Sequence, residues 1–268
     1  YDPSEDEFEA RSRVRLVIDA VADENLSGQV YFEIGKSIWG KADNPQGGMA
    51  LGADASIVKL KRAFIDWRVP DTDLKLRMGI QGIGLPYMAM GGPTVFQSDV
   101  AAITASYVFN ENAALTAFWA RPYNDNYVGD ADGYQKNFMD NMDMAGLMVP
   151  LTFDGVKVTP WAMYGMIGAN SWDAIDHDMH KGSYPAYSLR PYPLAYNGGT
   201  FDTDKAYGSA FWAGLPISVT AFDPLNIELD INYGYIESMG RYKAERFDGS
   251  NTFRMGDTKR EGWLVKAL

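Results

Sequence analysis

The sequence predicts an all-β chain of antiparallel, up-and-down strands, and three observations predict it. Apolar and polar residues alternate with period 2 in many segments. Those segments are each about ten residues long. Their connections alternate between tight turns and long loops.

The first such segment runs from Arg11 to Ile18, with Val14, Leu16 and Ile18 on one face and Arg11, Arg13 and Arg15 on the other. Leu74 to Gln81 repeats it, setting Leu74, Leu76, Met78 and Ile80 against Lys75, Arg77, Gly79 and Gln81. The cleanest is Ile227 to Tyr235, where every odd residue is apolar or aromatic and Glu228, Asp230, Asn232 and Gly234 alternate with them. In an extended strand successive side chains point to opposite faces, so each run is a two-faced strand and fits no helix. On this pattern strands are expected at 11–22, 26–35, 57–69, 74–83, 101–109, 113–122, 142–153, 156–167, 205–221, 226–238 and 258–268.

The connections carry the next step. Asp23-Glu24-Asn25, Pro70-Asp71-Thr72-Asp73, Asn110-Glu111-Asn112, Asp154-Gly155 and Asp223-Pro224-Leu225-Asn226 are tight turns built from turn-forming residues. Between them lie loops of roughly 15 to 40 residues, far above the usual connection length. One short end and one long end is the pattern of an outer-membrane barrel, with turns in the periplasm and loops outside. A Greek-key sandwich would scatter its long connections.

Composition agrees. The 268 residues include 16 Tyr, 13 Phe and 7 Trp, yet the mean hydropathy is only -0.25. A chain that is polar on average and rich in aromatics is expected when each strand shows one face to lipid and one to water, with Trp and Tyr at the interfaces. Trp39, Trp67, Trp119, Trp161, Trp212 and Tyr235 are the candidates for those girdles. A secreted soluble β-protein is the other reading, in which the same apolar faces form a core. No apolar run reaches the roughly 18 residues of a spanning helix, so a membrane crossing would require a closed barrel.

The net charge of -11 comes without a dominant basic patch, which argues against nucleic acid as partner. There is no cysteine, so disulfides and thiolate chemistry are excluded. No linker divides the chain, so residues 1–268 are read as one β-barrel domain. Barrels of this kind have an even strand number and periplasmic termini. The first strand here runs into a short turn, so a preceding strand and the last strands are expected to lie outside the sequence.

At this point particular residues match a known pattern. Arg13-Val-Arg-Leu-Val-Ile-Asp19, Glu24-Asn-Leu-Ser-Gly28, Val30-Tyr-Phe-Glu-Ile-Gly35 with Trp39-Gly40, Arg62-Ala-Phe-Ile-Asp-Trp67 and Arg77-Met-Gly-Ile-Gln81 resemble the homotrimeric outer-membrane porins of sulfate-reducing bacteria. The resemblance implies a barrel of about 16 strands, about eleven of them here. It implies a Gram-negative outer membrane with its lipid and lipopolysaccharide as surroundings, a homotrimer, and passage of small hydrophilic solutes or ions. It also makes 84–100 the third external loop, which in that family folds inward and forms the constriction. In that loop Gly91-Gly92-Pro93 suits a tight bend. Tyr87, Met88, Met90 and Phe96 suit packing against a wall, and Gln97 and Asp99 close the segment.

Selectivity in a pore comes from width and lining charge. With apolar faces turned to lipid, Arg11, Arg13, Arg15, Arg62, Arg68, Lys75 and Arg77 would form a basic wall, with Asp19, Glu33, Asp66, Glu228 and Asp230 as the acidic lining. Because loop 84–100 offers only Asp99 against this wall, a mild anion preference is expected. Pairing of these arginines with nearby carboxylates, or their placement at a trimer contact, is the alternative.

Loop 36–57, with Asn44-Pro45 and Gly47-Gly48, would match the loop that reaches over a neighbouring subunit in such trimers. Asp173, Asp176, His177, Asp178 and His180 could hold Ca²⁺ or a transition metal, but their spacing matches no standard loop and a solvated loop is favoured. No other cofactor is implied. No nucleophile elbow, zinc helix or phosphate loop occurs, so no enzyme is expected. The competing function is a non-conducting outer-membrane or secreted β-barrel binding protein using loops 168–204 and 239–257.

Overall fold

In the computed structural model, residues 9–39, 58–124, 139, 141–168, 200–203, 205–222, 224–238, 240–245, 252–257 and 259–268 are described. The strands are β1 (Arg11–Val21), β2 (Leu26–Ile38), β3 (Val58–Arg68), β4 (Leu74–Gly84), β5 (Gln97–Asn110), β6 (Ala113–Asn124), β7 (Asn141–Met148) and β8 (Leu151–Phe153). They continue with β9 (Val156–Val158), β10 (Trp161–Gly168), β11 (Thr200–Thr203), β12 (Tyr207–Phe222), β13 (Leu225–Ile236), β14 (Gly240–Glu245), β15 (Thr252–Asp257) and β16 (Arg260–Ala267). No helix among the described residues is long and apolar enough to cross a membrane, which leaves crossing by strands untouched.

Thirteen strands form one antiparallel sheet in the order β1-β2-β3-β4-β5-β6-β7-β10-β12-β13-β16, with β8 and β9 beside β6 and β12. Sequence neighbours pair throughout most of it, as an up-and-down sheet requires. The tight turns behave as their residues dictate. Asp23 Oδ1 accepts from the backbone N–H of Asn25 and Leu26 at 2.7 and 2.8 Å. Asn110 Oδ1 accepts from Asn112 at 2.8 Å, and Gly155 supplies the positive φ of 68° needed between β8 and β9.

Two expected strands differ from the structure. Those placed at 142–153 and 156–167 are each broken, into β7 and β8 and into β9 and β10, at Pro150 and Pro160. Proline has no N–H to give the ladder. The breaks lie side by side, because Val149 N–H donates to the Pro160 carbonyl at 2.9 Å. Counting each bent pair as one leaves eleven long passes of the 13 strands, the number the alternation predicts.

Three further differences concern the loops. β5 begins at Gln97, not near 101, so Gln97 and Asp99 belong to a strand. β2 continues to Ile38. Segments 168–204 and 239–257, expected as loops, contribute β11, β14 and β15, which make a separate three-stranded sheet in the order β11-β14-β15.

The main sheet is strongly curled, and one loop demonstrates it. Residues 85–96 are pinched at their base, where Leu85 N–H donates to the Phe96 carbonyl at 3.0 Å. Met88, three residues on, donates its N–H to Asp230 of β13 at 2.7 Å. Three residues reach at most about 11 Å. Six inter-strand steps at about 4.8 Å lay β13 roughly 29 Å from β4 along the sheet. Chord and arc agree only if the sheet wraps round the loop, so the face carrying Asp230 is the inner one.

Register then assigns every paired strand. Gln81 lies opposite Val100, Ala102 opposite Ala120, Ala120 opposite Met144, Met163 opposite Trp212, and Pro216 opposite Asp230. All of these share the inner face. The intervening residues, including Leu16, Ile103, Trp119, Leu147 and Phe211, form the outer face and are 41 to 51% exposed.

Candidate functional site

The inner face divides into an ionic half on β1 to β4 and an apolar half on β5 to β13. On the ionic half Glu33 and Asp66 each serve two cations. Glu33 lies 3.8 Å from Arg13 and 3.3 Å from Arg15, and Asp66 lies 2.9 Å from Lys75 and 2.6 Å from Arg77. Arg77 binds Asp66 through two nitrogens and stacks on Phe64 with its guanidinium carbon 3.9 Å from the ring centroid. Asp19 accepts from Gln29 at 2.8 Å. Arg68, opposite Lys75, has no ion pair among the described residues. Two cations to one carboxylate leaves each cluster positive.

Arg62 does not join this row. The register between β2 and β3 slips beside Lys61, and both Lys61 and Arg62 reach Asp99, at 3.4 and 2.7 Å. Asp99 alternates with buried Val100 and pairs with Gly82, so it lies on the outer face. The guanidinium sits over Gly82, where a Cβ would come within 2.9 Å of it. A bulge turns two consecutive side chains one way. Arg121 and Asp143 form a second such pair, at 2.8 and 2.9 Å, beside Trp119. Arg11 pairs with Glu9.

The apolar half is what sequence reasoning missed. Phe118, Met142, Met144, Trp161, Met163, Ile167, Trp212 and Ile236 are all buried, together with Leu85, Val95 and Phe96 of the loop. Trp161 and Trp212, expected in interfacial girdles, are 4 and 3% exposed on the inner face. Each ring rests on a glycine of a neighbouring strand, as does that of Phe118: a Cβ on Gly214 would lie 2.3 Å from Trp161, one on Gly234 2.9 Å from Trp212, and one on Gly146 2.4 Å from Phe118. Bare backbone opposite an aromatic gives its ring a seat. The signal was present in the glycines, but β10 is apolar on both faces and alternation cannot orient it. Trp39, Trp67 and Trp119 are exposed, at 65, 39 and 41%, and Tyr235 is half-buried on the outer face.

The loop packs on the apolar half and leaves the ionic half uncovered. Phe96, Leu85, Ala89 and Val95 are its buried residues, whereas Tyr87 and Met90, expected to pack against the wall, are exposed and Met88 is half-buried. Pro86 and the inward turn at Ala89 select which side chains bury, a choice no periodicity encodes. Gly91 and Gly92 take φ of 100° and 79°, the bend their sequence calls for. Asp230, 2% exposed, accepts from Met88 at 2.7 Å and Ala89 at 3.2 Å. Lys266 stands 3.9 Å from it and donates to the Gly92 carbonyl at 2.8 Å. Glu228 lies two positions below Asp230 on the same face.

Beyond the strand ends, the Glu237 carboxyl is held below the usual range, first by its hydrogen bond from Lys205 and then by the Ser209 N–H. Asp173, Asp176, His177, Asp178 and His180 lie outside the described residues, as does most of loop 36–57.

No family model and no curated protein matches this chain. Among solved structures it is similar to the NanC porin, at 10% identity and a TM-score of 0.34, over 95% of this chain and 90% of that one.

Proposed function

We propose that the chain forms the wall of an outer-membrane porin, giving passive diffusion of small hydrophilic solutes through a water-filled barrel. The observation that carries this is the outer face. On β12, Phe211, Ala213, Leu215, Ile217 and Val219 alternate outward, and eight steps of about 3.3 Å make roughly 26 Å of apolar surface along the strand. At a strand tilt that covers most of the roughly 25 Å band of a transmembrane barrel. Leu16, Ile65, Ile103, Leu147 and Val265 extend the apolar face to other strands at 44 to 62% exposure. A soluble protein does not expose a contiguous apolar face across so many neighbouring strands.

The solute path runs along β1 to β4, past Arg13, Arg15, Arg68, Lys75 and Arg77. Loop 85–96 narrows it from the opposite wall. Shared carboxylates leave that lining positive, so the pore prefers anions mildly. The functional unit is a homotrimer, as in the porins its strand patterns resemble, and no catalytic chemistry or cofactor enters.

Single-channel current in a planar bilayer under a salt gradient tests the reading. Stepwise insertions with a reversal potential of anion sign are expected; cation sign would remove the basic wall, and absence of current from inserted protein would remove the pore. A second reading, a non-conducting binding barrel, is favoured by one observation: β11, β14 and β15 join segments 168–204 and 239–257 by backbone pairing. It predicts insertion without current.

A further inference from the structure

We propose that the inner wall carries a binding site for small hydroxylated organic anions, formed by β4, β5 and β6 below the loop. The proposal rests on the porin reading above and names a solute class for it.

A cavity of about 290 Å³ lies there, lined by Lys75, Arg77, Gln81, Thr104, Ser106 and Thr116 among others. The volume suits an organic acid of a few carbon atoms. Its cationic side comes from β4. Lys75 and Arg77 share Asp66, and Arg68 adds a further charge beside Lys75. Lys75 and Arg77 against the one carboxylate leave a positive surplus on the cavity wall. Asp66 binds Nε and one terminal nitrogen of Arg77, which leaves the other terminal nitrogen for a ligand. An ammonium has three donors, so Lys75 keeps others after meeting Asp66.

The opposite side is hydroxyl-rich. Ser106 and Thr116 share a hydrogen bond of 3.0 Å; one donates, and the other keeps its proton for a ligand. Thr104 donates to Gln81 Oε1 at 3.2 Å, while Gln81 Nε2 is occupied by the Ala102 carbonyl at 2.9 Å. With its proton committed, the Thr104 oxygen faces a ligand as an acceptor. A carboxylate alone uses the cations and the one free hydroxyl proton. A hydroxyl group on the ligand would use the acceptor too, and the wall supplies it next to the charges.

Glycerate and propionate have the same charge and carbon count and differ in hydroxyl groups, so they separate charge from hydroxyl recognition. With the full chain in a planar bilayer carrying chloride current, glycerate should reduce that current saturably at about a fivefold lower concentration than propionate, the effect of one net hydrogen bond. Thr104→Val, which removes the acceptor that only a ligand hydroxyl uses, should abolish the difference. Lys75→Gln should weaken both anions alike. Equal action of glycerate and propionate on the unmodified protein, or a difference that survives removal of the Thr104 hydroxyl, would overturn the site and leave the pore intact. Inserted protein that carries no current would overturn the pore instead. Calorimetry of glycerate against propionate on the same detergent-folded chain then decides the site by itself: tighter glycerate binding supports it, and equal or absent binding overturns it.

Discussion

The Asp230 carboxylate holds the backbone of Met88 at 2.7 Å across 142 positions of sequence. It joins the loop between β4 and β5 to the far side of the curled sheet, and Lys266 adds a contact to Gly92. Removing the carboxylate should free two buried N–H groups. Asp230→Ala is expected to cost about 1.5–3 kcal/mol, the range for hydrogen bonds to a charged group, and to increase current noise. Denaturant midpoints and open-channel noise measure the two effects. A variant as stable and as quiet as the parent would exclude Asp230 as the anchor.

Gly214 seats Trp161, and a methyl group there would enter the ring at 2.3 Å. Gly214→Ala should destabilise by about 1–3 kcal/mol through overpacking. Trp161→Leu in the same chain should recover part of that loss, because it vacates the contested space. Thermal unfolding of both single variants and the double variant reads the coupling; strict additivity would show that the contact carries no energy.

The outer and inner faces should respond oppositely to charge. Ile103→Lys, on the outer face, is expected to cost about 2–4 kcal/mol in a bilayer. Thr104→Lys, one residue on and facing inward, should cost less and strengthen anion preference. Folding yield into lipid vesicles, followed by the heat-dependent gel shift, compares them. Equal yields would contradict the assignment of faces.

Acid should loosen one contact beyond the strand ends. Glu237 has a folded pKa below its unfolded value, chiefly because Lys205 donates to it. Its contribution to stability is therefore complete above the unfolded value of about 4.3, and it is lost as pH falls through the lower folded value. Glu237→Gln should flatten stability against pH between about 5 and 3. An unchanged slope in that variant would assign the acid sensitivity to other carboxylates.

Asp66 bridges Lys75 and Arg77, so its removal should raise the surplus charge of the lining. Asp66→Asn is expected to shift the reversal potential further toward that of an anion-selective pore, whereas Arg77→Gln should shift it the other way. Movement of both in one direction would show that these residues do not face the solute path.

By itself the sequence determined the eleven long passes, the tight turns and the up-and-down order of the main sheet. Each rests on local chemistry: the period-2 alternation of Ile227 to Tyr235, the side-chain oxygen of Asp23 returning to its own turn, and the left-handed residue at Gly155. It also marked loop 84–100 as one suited to packing against a wall. Tertiary structure decided what a local pattern cannot encode. β10 carries Trp161 and Met163 on one face and Ala162 and Tyr164 on the other, so only the glycines of neighbouring strands settle which face turns inward. Arg62 keeps the parity of Asp66 in an unbroken register, yet beside the bulge at Lys61 its side chain reaches Asp99, a choice of partner that alternation does not encode. The anchoring of the loop on Asp230 depends on curvature accumulated over six strand pairings, and no segment of the chain contains that information alone.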